Sequence, residues 1–379
     1  MTGNGNGGQP VLVVVQLSGG NDFMNTVIPY ANSTYYDSRP TVAIPHDKVL
    51  PINDTLAFHP NMGPFKDLYD DGMVAIVQGI GYPNSNRSHF RGMDIWHTCE
   101  PDVVATVGWV AKALKVLDPE GSNPLTGINF GVGLPRAMAM PGVPVTSVSN
   151  LDNYGLMTGI GATEQRDRAL DIFKRMYAPA IGAGPVMEYL SQTGRDVLTG
   201  ADMIAVAPQQ YESTVEYAAT PIAQALRDVA RVHTAGLGTR IFYTAHGGYD
   251  VHANENPAQP GLLGDLSAAI SDFFADLREH DADDNVAMLV FSEFGRRVRD
   301  NGSGTDHGSG GGAFIIGKNV AGGLYAEYPS LVQDQLANGE DLPHTIDFRG
   351  IYGTMLEQWL HIGAQPIVGG VYEQIGPFK

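Results

Sequence analysis

One cysteine, Cys99, in 379 residues excludes an internal disulfide. A lone cysteine suits a cytoplasmic protein or an exported one that folds before it leaves. Cys99 follows an expected helix and reads as a packing residue, not a nucleophile. Basic residues are also scarce: 23 Lys and Arg against 41 Asp and Glu leave a net charge of −18. That balance argues against a nucleic-acid partner, which needs a basic face, and against an anionic membrane surface. A small anionic substrate is still compatible, because a local arginine cluster can outweigh the global field. No stretch approaches the ~18 consecutive apolar residues of a spanning helix, so no membrane insertion is expected.

What is present is a globular composition, 43% hydrophobic and 17% charged, enough to bury a sizeable core. Met1 to Pro10 is rich in Gly and Asn and reads as a disordered or appended start, or the scar of a trimmed leader. Residues 11–379 read as a single α/β domain. The apolar runs Val11–Leu17, Met73–Ile80, Gly127–Gly131, Ile241–Ala245, Val286–Phe291 and Ala313–Gly317 are expected strands. Several lack polar alternation, as strands of a buried parallel sheet do. Between them, Gly108–Leu117 and Leu262–His280 carry helical stripes, the second with Leu266, Ile270, Phe273 and Leu277 on one face. Thr41–Leu56 reads as loop. A helical segment at about 162–236 has apolar stripes at Leu170/Phe173/Met176, Met187/Leu190 and Ile222/Leu226/Val229, which read as core. The alternation argues for a doubly wound, mostly parallel sheet with helices on both faces.

In such sheets ligands bind beyond the carboxyl ends of the strands, and right-handed crossovers bring those ends to one edge. Chemistry-bearing residues collect there. Asn21 and Asp22 follow the first strand in S-G-G-N-D, and Ser88 and His89 open a helix in N-R-S-H-F. His246, Asp250 and His252 follow Ile241–Ala245, and Glu293, Arg296 and Arg297 follow Val286–Phe291. Asp306 and His307 lie in the glycine-rich loop after that. Each group alone has an ordinary reading: a turn, an N-cap at Ser88, an ion-paired strand end. Together, carboxylates and imidazoles from several strand ends are what a mono- or dinuclear metal site requires. An Asp-x-His pair suits zinc, manganese or iron. A serine among free helix N–H donors could attack an anionic centre that those donors hold.

The segments Q-L-S-G-G-N-D, N-R-S-H-F with W-H-T, G-G-Y-D-V-H, F-S-E-F-G-R-R, G-T-D-H-G and T-I-D-F-R together resemble a bacterial family, domain of unknown function 1501. Its members are placed in the alkaline-phosphatase and sulfatase-like superfamily. The resemblance implies an alkaline-phosphatase-like fold and export by the twin-arginine route, hence a periplasmic or secreted location. It also implies Ser88 as nucleophile, Asp250 and His252 as ligands of one metal, and His307 as the late histidine ligand. Ser18 stands where superfamily enzymes carry an aspartate, and Glu293-Phe294 where they carry Asp-His, so two ligands are lost. N-R-S-H-F does not match the sulfatase formylglycine context.

The leading expectation is a metal-dependent hydrolase of phosphate or sulfate esters with one or two divalent ions, Zn, Mn, Ca or Mg. Asp250, His252, Asp306 and His307 are the expected ligands, followed by Asn21, Asp22 and Glu293. Ser88 is the expected nucleophile, Arg296 the anion clamp and His89 the general acid. The substrate class is a small anionic ester or a saccharide. Two other readings stand beside it: a catalytically degenerate exported protein binding a saccharide or protein partner, and a metal-dependent lyase or transferase. Oligomeric state is not legible.

Overall fold

The structure, a computed structural model, describes residues 8–154, 163–176 and 185–379. Most of the Gly/Asn-rich start, and the side chains of Phe173, Met176, Met187 and Leu190, lie outside the described residues.

The strands of the central sheet, in chain order, are β1 (Val11–Ser18), β2 (Val74–Gly81), β3 (Gly127–Phe130), β4 (Thr146–Val148) and β5 (Ile241–Gly247). They continue with β6 (Val286–Ser292), β7 (Gly311–Ile316), β8 (Gly323–Tyr325) and β9 (Ile346–Asp347). Their spatial order is β8-β2-β7-β6-β1-β5-β3-β4, with β9 paired to the far end of β2. Strand β1 is central and parallel to β5 and β6, with Leu17 beside His246 on one side and Ser292 on the other.

Why this sheet forms is visible along β1. Val11, Val13, Val15 and Leu17 enter one hydrophobic cluster, and Leu12 and Val14 enter the other. Alternate side chains of a strand point to opposite faces, so an uninterrupted apolar run needs cover on both. Helices Pro221–Thr234 and Glu255–Glu279 cover the first face through Leu226, Val229, Leu263 and Phe273. Helices His89–Thr98, Trp109–Leu117 and Phe348–Thr354 cover the second through Trp96, Trp109 and Tyr352, the Tyr352 ring stacking on Trp109 and meeting Trp96 edge-on. Each such fully buried large side chain contributes roughly 1.5–3 kcal/mol. The expected doubly wound, mostly parallel α/β class is the one observed. Cys99, in the left-handed conformation at the end of His89–Thr98, is buried in the second cluster.

Strand β7 departs from the expected pattern. It runs antiparallel to both β2 and β6. The residues before it, not after it, therefore reach the edge where the other strands end. Asp306 and His307 arrive there through a hairpin, Arg296–Asp300 with Thr305–His307, in which Arg296 pairs with His307. The short strands β4, β8 and β9 were not anticipated, being too brief to show a period of two. Helix Glu255–Glu279 begins well before the expected Leu262 and carries Pro260 inside it. No helix among the described residues is long and apolar enough to cross a membrane.

Candidate metal centre

At the carboxyl edge β1 ends in Ser18 and turns through Gly19 and Gly20. A side chain on Gly19 would meet the Asp250 backbone nitrogen at 2.4 Å, and one on Gly20 the Phe294 ring at 2.4 Å. Both glycines have positive φ, +121° and +70°. This close approach lets three strand-end loops converge.

The convergence point is Asp250 Oδ1. It lies 3.3 Å from His89 Nε2, 3.1 Å from His252 Nε2 and 3.1 Å from His307 Nε2. The fourth neighbour is Arg296 Nη2 at 2.8 Å. Among the described residues, His89, Asp250 and His307 offer ligand atoms that all lie within 4.8 Å of one another. His252 Nε2 adds itself 2.8 Å from His307 Nε2.

The other ring nitrogen of each imidazole settles its tautomer. His307 Nδ1 lies 2.8 Å from the Arg87 carbonyl, which can only accept, so Nδ1 carries the proton. His252 Nδ1 lies 3.0 Å from Asp306 Oδ1, and His89 Nδ1 2.8 Å from Glu293 Oε1. Both carboxylates are ionised. The hydrogen bond from His252, with help from Asn301 and Arg297, holds Asp306 below its ordinary range. Burial would raise Glu293, but hydrogen bonds from His89, Gly19 and Ser292 bring it below its ordinary value. With Nδ1 engaged in this way, the Nε2 atom of each ring faces the Asp250 carboxylate, and the hydrogen bond to Glu293, with the Glu293 and Asp250 charges, raises the His89 imidazole above its ordinary value against its burial. Burial likewise works on Asp250 upwards, and Arg296 and His307 overcome it, holding that carboxyl well below the usual range.

Three imidazole nitrogens and a carboxylate oxygen this close repel unless a proton or a cation lies among them. The Nε2 of His89 is buried and has no hydrogen-bond partner. Imidazoles whose far nitrogens are held by carboxylates or a carbonyl are the usual arrangement around a metal ion. The donor set, three nitrogens and one oxygen, fits a divalent transition metal better than Mg or Ca, which prefer all-oxygen shells. Asp250, His252 and His307 are partly open to solvent, so the centre can be reached.

Other expected site residues are placed differently. Glu293 and Asp306 orient histidines and do not themselves face the convergence point. Asp22 is buried, ion-paired to Arg39, and caps the following short helix by accepting from Met24 N at 3.1 Å. Asn21 binds Thr26 through its side chain and donates its backbone N–H to Ser292 Oγ at 2.9 Å. Neither joins the cluster, because the turn after Gly20 points both side chains into the protein. His246 is buried with its Nδ1 3.0 Å from Tyr249 Oη, away from the centre.

Arg296 is not placed as an anion clamp. Its guanidinium is fully buried and donates to the carbonyls of Gly20 at 2.7 Å, Thr305 at 2.9 Å, Tyr249 at 2.9 Å and Gly19, and to Asp250. Nη2 alone serves three of these acceptors, and with the whole guanidinium enclosed it is not presented to a substrate. It ties the three loops together instead.

Ser88 occupies the N-cap of His89–Thr98, as expected, but its hydroxyl makes no capping bond and is exposed. His89 was expected as a general acid; the structure sets its ring against Asp250 and Glu293, with Phe294 packed 4.8 Å away between ring centroids. Phe294 also packs on His307, so the phenyl ring at this position forms an apolar wall to the cluster. The carbonyl of Arg87 and the pairing of Arg39 with Asp22 were missed. Backbone acceptors leave no mark in a sequence, and the Arg39 partner is set by the tertiary fold.

Residues 188–368 match the family model described as protein of unknown function, DUF1501. The matched DUF1501 segment includes Asp250, His252, Glu293, Arg296, Asp306 and His307, whereas Ser88 and His89 precede it. No curated protein matches the chain in sequence. Solved structures similar to it include a protein of the alkaline phosphatase superfamily from Vibrio parahaemolyticus. That protein is 13% identical, with a TM-score of 0.39, covering 96% of this chain and 69% of that one. A sulfatase from Pseudoalteromonas sp. is 11% identical, with a TM-score of 0.41, covering 97% and 69%. An alkaline phosphatase from the Antarctic bacterium TAB5 is 12% identical, with a TM-score of 0.36, covering 82% and 92%.

Proposed function

We propose that the chain is a divalent-metal-dependent hydrolase of phosphate or sulfate esters, working in the periplasm or outside the cell. The observation that carries this reading is the convergence of three Nε2 atoms on Asp250 Oδ1. His89, Asp250, His252 and His307 would hold the ion. When bound, it would act as a Lewis acid toward an ester oxygen.

The remaining roles fall to this chain's own groups. Glu293, Asp306 and the Arg87 carbonyl fix the imidazole orientation, and Arg296 fixes Asp250. Phe294 excludes water from one side of the cluster. Ser88, with a hydroxyl free of capping duty at the start of a ten-residue helix, is the nucleophile. The unpaired N–H groups and positive end of that helix favour an anionic group beside it.

One observation favours a second reading, a protein that binds a saccharide without turnover. The guanidinium closest to the cluster, Arg296, is fully buried and bonded within the fold. The two readings separate on a screen of aryl phosphates and aryl sulfates with the metal-loaded protein and its Ser88→Ala variant. Turnover lost in the variant by roughly a thousandfold or more supports the hydrolase with Ser88 as nucleophile. Stoichiometric metal with no turnover of either ester class would discard the hydrolase reading.

A further inference from the structure

We propose that Arg87 and Arg297 form an oxyanion subsite beside the metal centre, occupied by the carboxylate of Glu340 until an anionic group of the substrate displaces it. The ligand is a compact oxyanion, a sulfate or phosphate group that the substrate carries in addition to the ester being cleaved. The identity of that ligand rests on the hydrolase reading; the subsite itself does not.

Glu340 Oε2 lies 3.1 Å from Arg297 Nη1 and 3.9 Å from Arg87 Nη2, so one carboxylate oxygen stands between two guanidinium groups. The neighbouring Asp341 is held very differently. It is fully buried and bidentate on Arg87, at 3.0 Å from Nε and 2.8 Å from Nη2. Glu340 is half exposed, at 51%. Its backbone is fastened: the Glu340 carbonyl accepts from Val298 N at 3.0 Å, and Asp341 bridges to Arg297. Only the Glu340 side chain has to swing for the space between the arginines to open. Exposed ion pairs of this kind are worth little, so displacement is cheap.

The position of the pair fits a substrate seated at the metal centre. The Arg87 carbonyl orients His307, and Arg297 lies 3.7 Å from Asp306 Oδ2, whose other oxygen orients His252. The Arg297 guanidinium is therefore one step outward from the His252 imidazole, and the shared Glu340 oxygen sets the Arg87 guanidinium beside it. A group held there is a neighbour of the scissile group, not the scissile group itself. Arg297 Nε is buried and lacks a hydrogen-bond partner. A tetrahedral oxyanion brings more acceptor oxygens than the single Glu340 oxygen, and guanidinium groups bind such anions through paired N–H donors.

The test is calorimetric titration of the full chain with inorganic sulfate and with inorganic phosphate, metal content being measured on the same preparations. Glu340→Gln, a surface change, is expected to tighten binding of both anions about fivefold by removing a competing like charge. Arg297→Gln is expected to weaken it by at least as much. Unchanged or weaker affinity in Glu340→Gln, or unchanged affinity in Arg297→Gln, overturns the subsite. If the protein holds no metal and Glu340→Gln still tightens anion binding, the subsite stands while the metal-dependent reading falls.

Discussion

His252 Nε2 and His307 Nε2 stand 2.8 Å apart, each on a ring whose Nδ1 already donates to an oxygen, of Asp306 and of Arg87 respectively. Two such nitrogens cannot remain so close with both lone pairs bare. The pair is built for something positive between or beside them, and Asp250 Oδ1, 3.1 Å from each, supplies the opposite charge.

The orienting oxygens should therefore matter nearly as much as the ligands. Asp306→Asn and Glu293→Gln keep the shape of the side chains but weaken the acceptors that fix the His252 and His89 tautomers. Each is expected to lower metal affinity about 10- to 100-fold, read by competition with a coloured chelator. Affinity equal to that of the parent protein in both variants would mean that these carboxylates do not orient ligands.

Arg296 should behave as a structural residue. Arg296→Lys replaces a planar five-donor fork with a compact ammonium that cannot reach the carbonyls of Gly19, Gly20, Tyr249 and Thr305 together. The expected loss is on the order of 3 kcal/mol or more in urea unfolding, since buried acceptors are left unpaired. A variant of parental stability with only a raised KM for anionic esters would restore the clamp role that its sequence position suggested.

Much of this was legible beforehand, for a physical reason. A buried parallel strand must be apolar on both faces, so β1 and β6 announce themselves, and the residues after them must lie at one edge. That logic brought Asp250, His252 and His307 together on paper. It failed where direction or partner was decided by distant chain. The antiparallel course of β7 has no sequence mark, and Asp22 looked like a ligand because Arg39, its buried partner, comes from another element. Likewise Arg296 and Arg297 are adjacent in sequence, yet one is fully enclosed and the other partly open, a difference set by alternation along their short strand.

The buried pair behind the site gives a prediction about pH. Glu255, fully buried, accepts from Asn25 at 2.9 Å and Thr305 at 2.7 Å, close to Asp22. Burial, then the Asp22 charge, push the Glu255 carboxyl up to about 9, while Arg39 keeps Asp22 ionised and below its ordinary value against its burial. With a folded value above the unfolded one, the contribution of Glu255 to stability is complete below about 4.5 and is lost as pH rises through about 9. Glu255→Gln mimics the protonated acid. It is expected to match the parent protein near pH 5 and to exceed its stability progressively towards pH 9, in thermal or urea unfolding. A parent-to-variant difference that does not change with pH would contradict a neutral Glu255.

The most direct test of the account is the metal content of the purified protein by inductively coupled plasma mass spectrometry, repeated on the His252→Ala/His307→Ala double variant. The account predicts a stoichiometric divalent transition metal in the parent protein that is lost in the variant while the fold is retained. No metal in the parent protein after growth and purification without chelators, or undiminished metal in the folded variant, would contradict it.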